Sequence, residues 1–171
     1  MDYLSEVYML STKFLSDYPA SSCPELMYKQ GRPYTCLLIE YHEDYYICIP
    51  FRSSIRHNNA FIFTTTRRSQ RTRSGLDYSK MAIIKDPDYI NSSTPATVDP
   101  DEYSEMMRNL PKITRDAVSY VETYISHING SMPLHPRTYN RKYRYSTLPY
   151  FDDILLNETP VVATVNESNE S

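Results

Sequence analysis

From Tyr34 to Phe51 the chain is almost unbroken apolar sequence. It reads Y-T-C-L-L-I-E-Y and then Y-Y-I-C-I-P-F, interrupted by the polar triplet His42-Glu43-Asp44. Two such β-branched and aromatic runs with a short polar joint predict an antiparallel hairpin of well-buried strands. Pro50 has no N–H for a ladder, so pairing is expected to weaken there. Upstream, Met1–Leu10 alternates around Val7, Tyr8 and Leu10 and predicts another strand. Ser11 or Thr12 then stands where a cap for a short helix, Lys13–Asp17, is needed. Pro19, Pro24, Gly31 and Pro33 make Tyr18–Pro33 a predicted loop.

Downstream, Ala60–Thr65 predicts a third strand and Leu76–Lys85 a fourth, with Met81, Ala82, Ile83 and Ile84 as its apolar part. Pro87–Pro100 is a connection rich in Ser, Thr and Pro. Asp101–Asn109 predicts a short helix with acidic residues in its first turn. Pro111 opens a longer helix to Asn129, closed by Gly130. Along it Ile113, Ala117, Tyr120, Val121, Tyr124, Ile125 and Ile128 recur at three- and four-residue spacing, which gives one core-facing apolar side. Phe151–Leu156 predicts a last helical turn, and Asn157–Ser171, acidic and polar, predicts disorder. The pattern describes one α+β domain over residues 1–156, built on an antiparallel sheet with flanking helices, and a tail over 157–171.

Composition fits a single domain with its own core: 171 residues, 40% hydrophobic and 23% charged. It also holds 17 Tyr, 3 Gly and no Trp. Phenols therefore line part of a core or groove, most of them expected as half-buried sheet residues and the exposed ones suited to stacking on bases. Cys23, Cys36 and Cys48 form no C-x-x-C and are expected as buried thiols in a reducing, cytoplasmic setting. No run approaches the roughly eighteen apolar residues of a membrane span, and no apolar segment with a basic front marks a secretory signal.

Charge changes the picture more. The net charge is −3. Yet Arg52–Lys85 holds eight basic residues against Asp77 alone, while Tyr150–Ser171 holds five acidic residues and no basic one. A basic block inside an acidic protein implies a polyanion partner.

The block opens where the hairpin's second strand runs out, at I-P-F-R-S-S-I-R-H-N-N-A-F over Ile49–Phe61. Arg52, Ser53, Ser54, Arg56 and His57 fall within six positions there. His57 can take or give a proton near neutral pH. Arg52 and Arg56 can fork onto phosphate oxygens, Lys80 can act as a point charge, and Ser53 and Ser54 can orient a phosphate or a 2′-OH. This is the equipment for metal-free RNA cleavage, which needs a base for the 2′-OH proton, an acid for the leaving 5′-oxygen and donors around the phosphate. An ordinary solvated turn is the alternative. Arg67, Arg68, Arg71 and Arg73 in an expected exposed, flexible loop supply a backbone-binding footprint. So do Arg137, Arg141, Lys142 and Arg144, interleaved with Tyr139 and Tyr143. Tyr28, Lys29 and Arg32 decorate the loop before the hairpin. His42, His57, His127 and His135 lack metal-ligand spacing, and neither a glycine-rich phosphate loop nor a G-x-S-x-G elbow occurs. No metal and no cofactor are expected.

Three ordered blocks carry a family resemblance: L-S-T-K-F at Leu10–Phe14, I-P-F-R-S-S-I-R-H-N-N at Ile49–Asn59, and G-L-D-Y-S-K-M-A-I-I at Gly75–Ile84. In these the chain resembles the endoribonuclease toxins of type III toxin–antitoxin systems, the ToxN/CptN/TenpN family, and among them the CptN and TenpN branches most. The resemblance implies a strongly twisted antiparallel sheet, a partly open barrel similar to the MazF/Kid toxins. It implies metal-independent cleavage of cellular RNA to 2′,3′-cyclic phosphate and 5′-hydroxyl ends. It also implies inhibition by a cognate antitoxin RNA repeat, a pseudoknot that the toxin itself processes, in closed rings such as three proteins with three RNAs. Bacterial growth inhibition and phage defence are the implied roles; neither DNA nor membrane is an expected partner. By position, Ser53 matches the family's key hydroxyl, and Arg52 falls where some members have Thr. Arg56 and His57 fall where ToxN-like members place lysines before a histidine, one residue closer here. Tyr28 and Arg32 resemble the Tyr and basic residue before the first hairpin strand, and Lys80 the lysine of the third block. Arg is not a ready base, so which group takes the 2′-OH proton stays open. A non-catalytic RNA-binding module is the main alternative, and a subunit whose Arg loop docks an acidic protein is a third.

Overall fold

The structure is a computed structural model and describes residues 6–27, 34–41 and 45–157. The expected turn at 42–44, the start of the first strand at 1–5, and the tail from 158 onward lie outside the described residues. So do the candidate RNA contacts Tyr28, Lys29 and Arg32.

The predicted hairpin is the centre of the sheet. β2 (Thr35–Tyr41) and β3 (Tyr45–Arg52) pair antiparallel from Tyr41↔Tyr45 to Cys36↔Pro50. Cys36, Leu37, Leu38 and Ile39 are buried in succession, so both faces of β2 are covered. β1 (Glu6–Leu10) pairs β2, and a two-residue β7 (Ile90–Asn91) pairs β1. On its other edge β3 changes partner. Tyr46–Cys48 pair with β6 (Ala82–Ile84), and Phe51–Arg52 pair with β5 (Gly75–Asp77). The registers leave Ile49 and Pro50 between the two partners, so the missing N–H of Pro50 falls where this edge has no ladder. Towards β2 the pairing continues through Pro50. β4 (Ala60–Ile62) closes the order on β5. The result is an α+β fold on a seven-stranded antiparallel sheet running β4-β5-β3-β2-β1-β7, with β6 beside β3. Among the described residues β4 and β7 do not pair with each other, so the sheet stays open.

Four of the helices follow the pattern closely, and a fifth, over Pro136–Tyr143, was not expected. α1 (Thr12–Asp17) is capped by Ser11, whose hydroxyl accepts from Phe14 N at 3.3 Å. α2 (Pro100–Arg108) and α3 (Leu110–Ile128) meet at Asn109, and Gly130 follows α3 with φ +79°. Ile113, Ala117, Tyr120, Val121 and Tyr124 are buried on α3 as their spacing requires. α4 (Pro136–Tyr143) holds most of the second basic cluster and is capped by His135, which accepts from Arg137 N. α5 (Asp152–Asn157) ends the described chain. The expectation that most tyrosines lie in the sheet is not met: among the described residues Tyr8, Tyr41, Tyr45 and Tyr46 stand in strands, and as many again lie between helices. Tyr120, Tyr124, Tyr139 and Tyr143 pack ring against ring between α3 and α4, and Tyr143 donates to Tyr120 O at 2.7 Å. Burial pushes the Tyr120, Tyr124 and Tyr143 hydroxyls well above the usual range.

Two expected strands differ, for polar reasons. Ala60–Thr65 stops at Ile62 because Thr64 and Thr65 turn both backbone N–H groups and both hydroxyls onto the buried carboxylate of Glu105, at 2.9–3.1 Å. Leu76–Lys85 is split into β5, a 3₁₀ turn at Tyr78–Lys80, and β6. The Asp77 side chain accepts from Ser79 N and caps that turn, a local bond that competes with the ladder. The Arg67–Arg73 segment is exposed but not a free loop. It contains a 3₁₀ turn at Arg68–Gln70, held by reciprocal bonds between Thr66 and Ser69.

For Glu105, burial pushes the carboxyl up, but the four kinds of bond from Thr64 and Thr65 outweigh it and leave its pKa below the ordinary 4.5. A depressed carboxyl contributes stability that is present above that value and lost as pH falls through the folded one. Nearby Glu102, pushed up by burial, contributes with the opposite sign. Urea titrations at pH 7 and pH 3 are therefore expected to show Glu105→Gln destabilised by about 1–3 kcal/mol at pH 7, with the gap to the wild type closing at pH 3. An equal gap at both pH values would remove Glu105 from the acid response.

Candidate functional site

The end of β3, the loop after it and the β5 turn enclose a cleft of about 840 Å³. Arg52, Ser53, Ser54, Arg56, His57 and Lys80 all line it, so the residues singled out in the sequence are brought to one place. Two of them, Arg52 and His57, meet at a residue not anticipated. Asp77 is buried at 2% exposure at the end of β5. Its Oδ1 accepts from Ser79 N at 3.0 Å and from Ser79 Oγ at 2.7 Å. Its Oδ2 lies 3.2 Å from His57 Nε2 and 3.7 Å from Arg52 Nε.

The tautomer of His57 follows from its partners. Nδ1 receives the Asn59 N–H at 3.1 Å, so the lone pair is there. Nε2 therefore carries the proton of the neutral ring and donates it towards Asp77 Oδ2, with Ser79 Oγ at 3.3 Å sharing it. A carboxylate orienting an imidazole through N–H is the arrangement that stabilises an imidazolium when one forms. Both ring nitrogens are engaged, so His57 can take a proton only at Nδ1, by giving up the Asn59 bond.

The loop is built to hold this ring. Ser54 turns the chain with φ +56°, a left-handed conformation uncommon for a side-chain-bearing residue. Its N–H donates to Thr72 Oγ1 at 3.0 Å. Arg73 donates to Ile55 O at 3.2 Å, His57 O at 2.5 Å and Asn58 Oδ1 at 3.1 Å, and its own carbonyl accepts from Ile55 N. Arg73, expected in a phosphate footprint, clamps the 55–58 loop. Asn59 reaches Lys142 O at 3.4 Å and ties the loop to α4. Ser53 and Arg56 are exposed in the cleft wall, and neither side chain has a hydrogen-bond or ion-pair partner among the described residues.

Lys80 is placed differently from a free point charge. Its ammonium is buried against Glu25 Oε2 at 2.9 Å and Tyr145 O at 2.6 Å, and Tyr34 donates to its carbonyl. Arg68 is also engaged. It meets Asp99 at 3.2 Å, and its Nε lies 3.1 Å from Glu102 Oε1 without the alignment of a hydrogen bond. Arg67 and Arg71 are exposed outside the cleft lining, as are Arg137 and Arg141 on α4. Lys142 lies 5.9 Å from the Tyr120 and Tyr143 ring centroids, and Arg144 lies 5.2 Å from that of Tyr145. Among the described residues no group of three His, Cys, Asp or Glu is placed to hold a metal ion, and no helix is long and apolar enough to cross a membrane.

Comparison with protein-family models, with curated proteins and with solved structures finds no match to this chain.

If Arg73 holds the loop, Arg73→Lys cannot bridge two carbonyls and an amide oxygen. Hydrogen exchange is expected to show protection at the Ile55 and Asn59 amides falling by about tenfold or more, with the β2–β3 amides unchanged. Unchanged exchange at both loop amides would show that the loop stands without the clamp.

Proposed function

We propose that this protein is a metal-independent endoribonuclease, the toxin of a type III toxin–antitoxin system held inactive by a cognate repeat RNA. The observation that carries the reading is the Asp77–His57 pair. It is an imidazole oriented by a buried carboxylate, in a cleft whose wall also carries Ser53 and Arg56. The resemblance in the blocks around Ile49–Asn59 and Gly75–Ile84 supplies the substrate class, and with it the finer expectation of a strongly twisted, partly open MazF/Kid-like barrel.

In this reading Ser53 and Arg56 hold the scissile phosphate and Arg52 supports it. The 2′-OH proton passes to His57 Nδ1 as the Asn59 bond is given up, and Asp77 stabilises the imidazolium through Nε2–H. The 2′-oxygen bonds to phosphorus, the bond to the 5′-oxygen breaks, and the imidazolium returns its proton to that leaving oxygen. The products are a 2′,3′-cyclic phosphate and a 5′-hydroxyl, so the protons balance without a further reagent. Lys80 joins the phosphate only if Glu25 is displaced. A second reading, a non-catalytic RNA-binding module, draws on that same pairing of Lys80 and on the engagement of both His57 nitrogens.

The test is cleavage of single-stranded RNA in the presence of a divalent chelator, with the product ends analysed. Cyclic phosphate ends are expected. Ser53→Ala, His57→Ala and Asp77→Asn are each expected to lower the rate by about 10²–10⁴. RNA that is bound but left intact would replace the enzyme with the binding module. Full activity in both Ser53→Ala and His57→Ala would refute the assignment of roles.

A further inference from the structure

Tyr145 follows Arg144, the exposed C-cap residue of α4, and lines the cleft, and it is 60% exposed. Its surroundings make that exposure unusual. Tyr143 two residues before it and Ser146, Thr147 and Leu148 after it are all buried. Thr147 is fixed to the 3₁₀ turn beside Asp77, its N–H donating to Ser79 O at 2.9 Å and its hydroxyl to Met81 O. The carbonyl of Tyr145 itself is held by the buried Lys80 ammonium at 2.6 Å. The backbone under this residue is thus anchored on both sides and from below, while the residue itself stays exposed in the cleft lining. Arg144 lies 5.2 Å from the ring centroid.

We infer that the Tyr145 ring is a nucleobase-stacking platform, a subsite for one base of the RNA next to the phosphate site. This rests on the proposed function only for the class of ligand. An exposed aromatic ring on a rigid mount offers stacking surface with little ordering cost, because its support does not have to be organised on binding. Stacking also tolerates any base, since each has a π-face. Arg144 adds charge for the neighbouring phosphate, the pairing of ring and cation that single-strand binders use. The buried tyrosines of α3 and α4 cannot serve, because their rings are packed against one another.

Binding of a fluorescein-labelled, 2′-O-methylated RNA decamer, which cannot be cleaved through its 2′-oxygen, tests this separately from catalysis. An abasic decamer of the same length is the control. Tyr145→Ala is expected to bind the base-bearing decamer about ten- to a hundredfold more weakly than the wild type and the abasic decamer equally well. Tyr145→Phe, which keeps the ring, is expected to bind like the wild type. Equal binding of the base-bearing decamer by wild type and Tyr145→Ala would overturn the inference. So would an equal loss on both decamers, or no binding of either by the wild type. A wild type that binds these decamers through Tyr145 but leaves unmodified RNA intact would sink the endoribonuclease reading alone.

Discussion

A carboxylate taken out of water stays charged only where cations and N–H or O–H donors replace the solvent around it. Asp77 meets this condition with four groups from three parts of the chain. They are the backbone and hydroxyl of Ser79, the imidazole of His57 and the guanidinium of Arg52. Its position is forced by the sheet. β5 is squeezed between β3 and β4, with Gly75 paired to Arg52 on one side and to Ile62 on the other. A Cβ at Gly75 would fall 1.9 Å from Phe61 O, so only glycine lets β4 lie this close. Two residues later the strand delivers Asp77 beside the end of β3, where Arg52 emerges.

The same carboxylate terminates what the pattern alone makes a continuous strand. Capping Ser79 bends the chain into a 3₁₀ turn, and β6 then takes a different stretch of β3. The fold and the site thus share one cause. The bend that separates β5 from β6 also lets Ser79 O receive Thr147 and Lys80 O receive Tyr34. A strand without the bend would carry Lys80 along the sheet rather than to the Glu25–Tyr145 junction.

The central hairpin, the long helix α3 with its strong periodicity and the motif after β3 were legible because each rests on neighbours close in sequence. Buried strands show as apolar runs, helix faces as three- and four-residue spacing, and caps as Ser11, Pro111 and Gly130. Arg52, Ser53, Arg56 and His57 were legible because they cluster. Asp77 was missed although it left a signal: it is the lone acid in the basic block, and Ser79 two residues on is the partner an Asx-type turn wants. Glu25, Tyr34 and Tyr145 left none. Their roles depend on contacts 46 to 65 residues away, which no local pattern encodes. The loop contacts of Arg73 were hidden for the same reason, since an Arg-rich run reads alike whether its guanidiniums face solvent or carbonyls.

The charges in the cleft decide how it can receive an anion. Lys80 is paired with Glu25, Arg68 with Asp99 and Glu102, and Arg52 and His57 share Asp77. The cleft is therefore far less positive than its count of basic residues. A phosphate gains little from a cation already neutralised unless it displaces the resident carboxylate. Such an exchange is close to neutral when the two anions have similar hydrogen-bonding capacity and the cation stays buried throughout. Net attraction must then come from groups without a standing partner. In the described cleft wall these include the Arg56 guanidinium and the Ser53 hydroxyl, with the Tyr145 ring proposed for whatever is attached to the phosphate. A naked phosphate ion would be held weakly by such a set. On the proposed reading, a polymer that offers a phosphate and an adjoining flat ring together would be held by both, and that combination, rather than the total of arginines, is what the cleft would select.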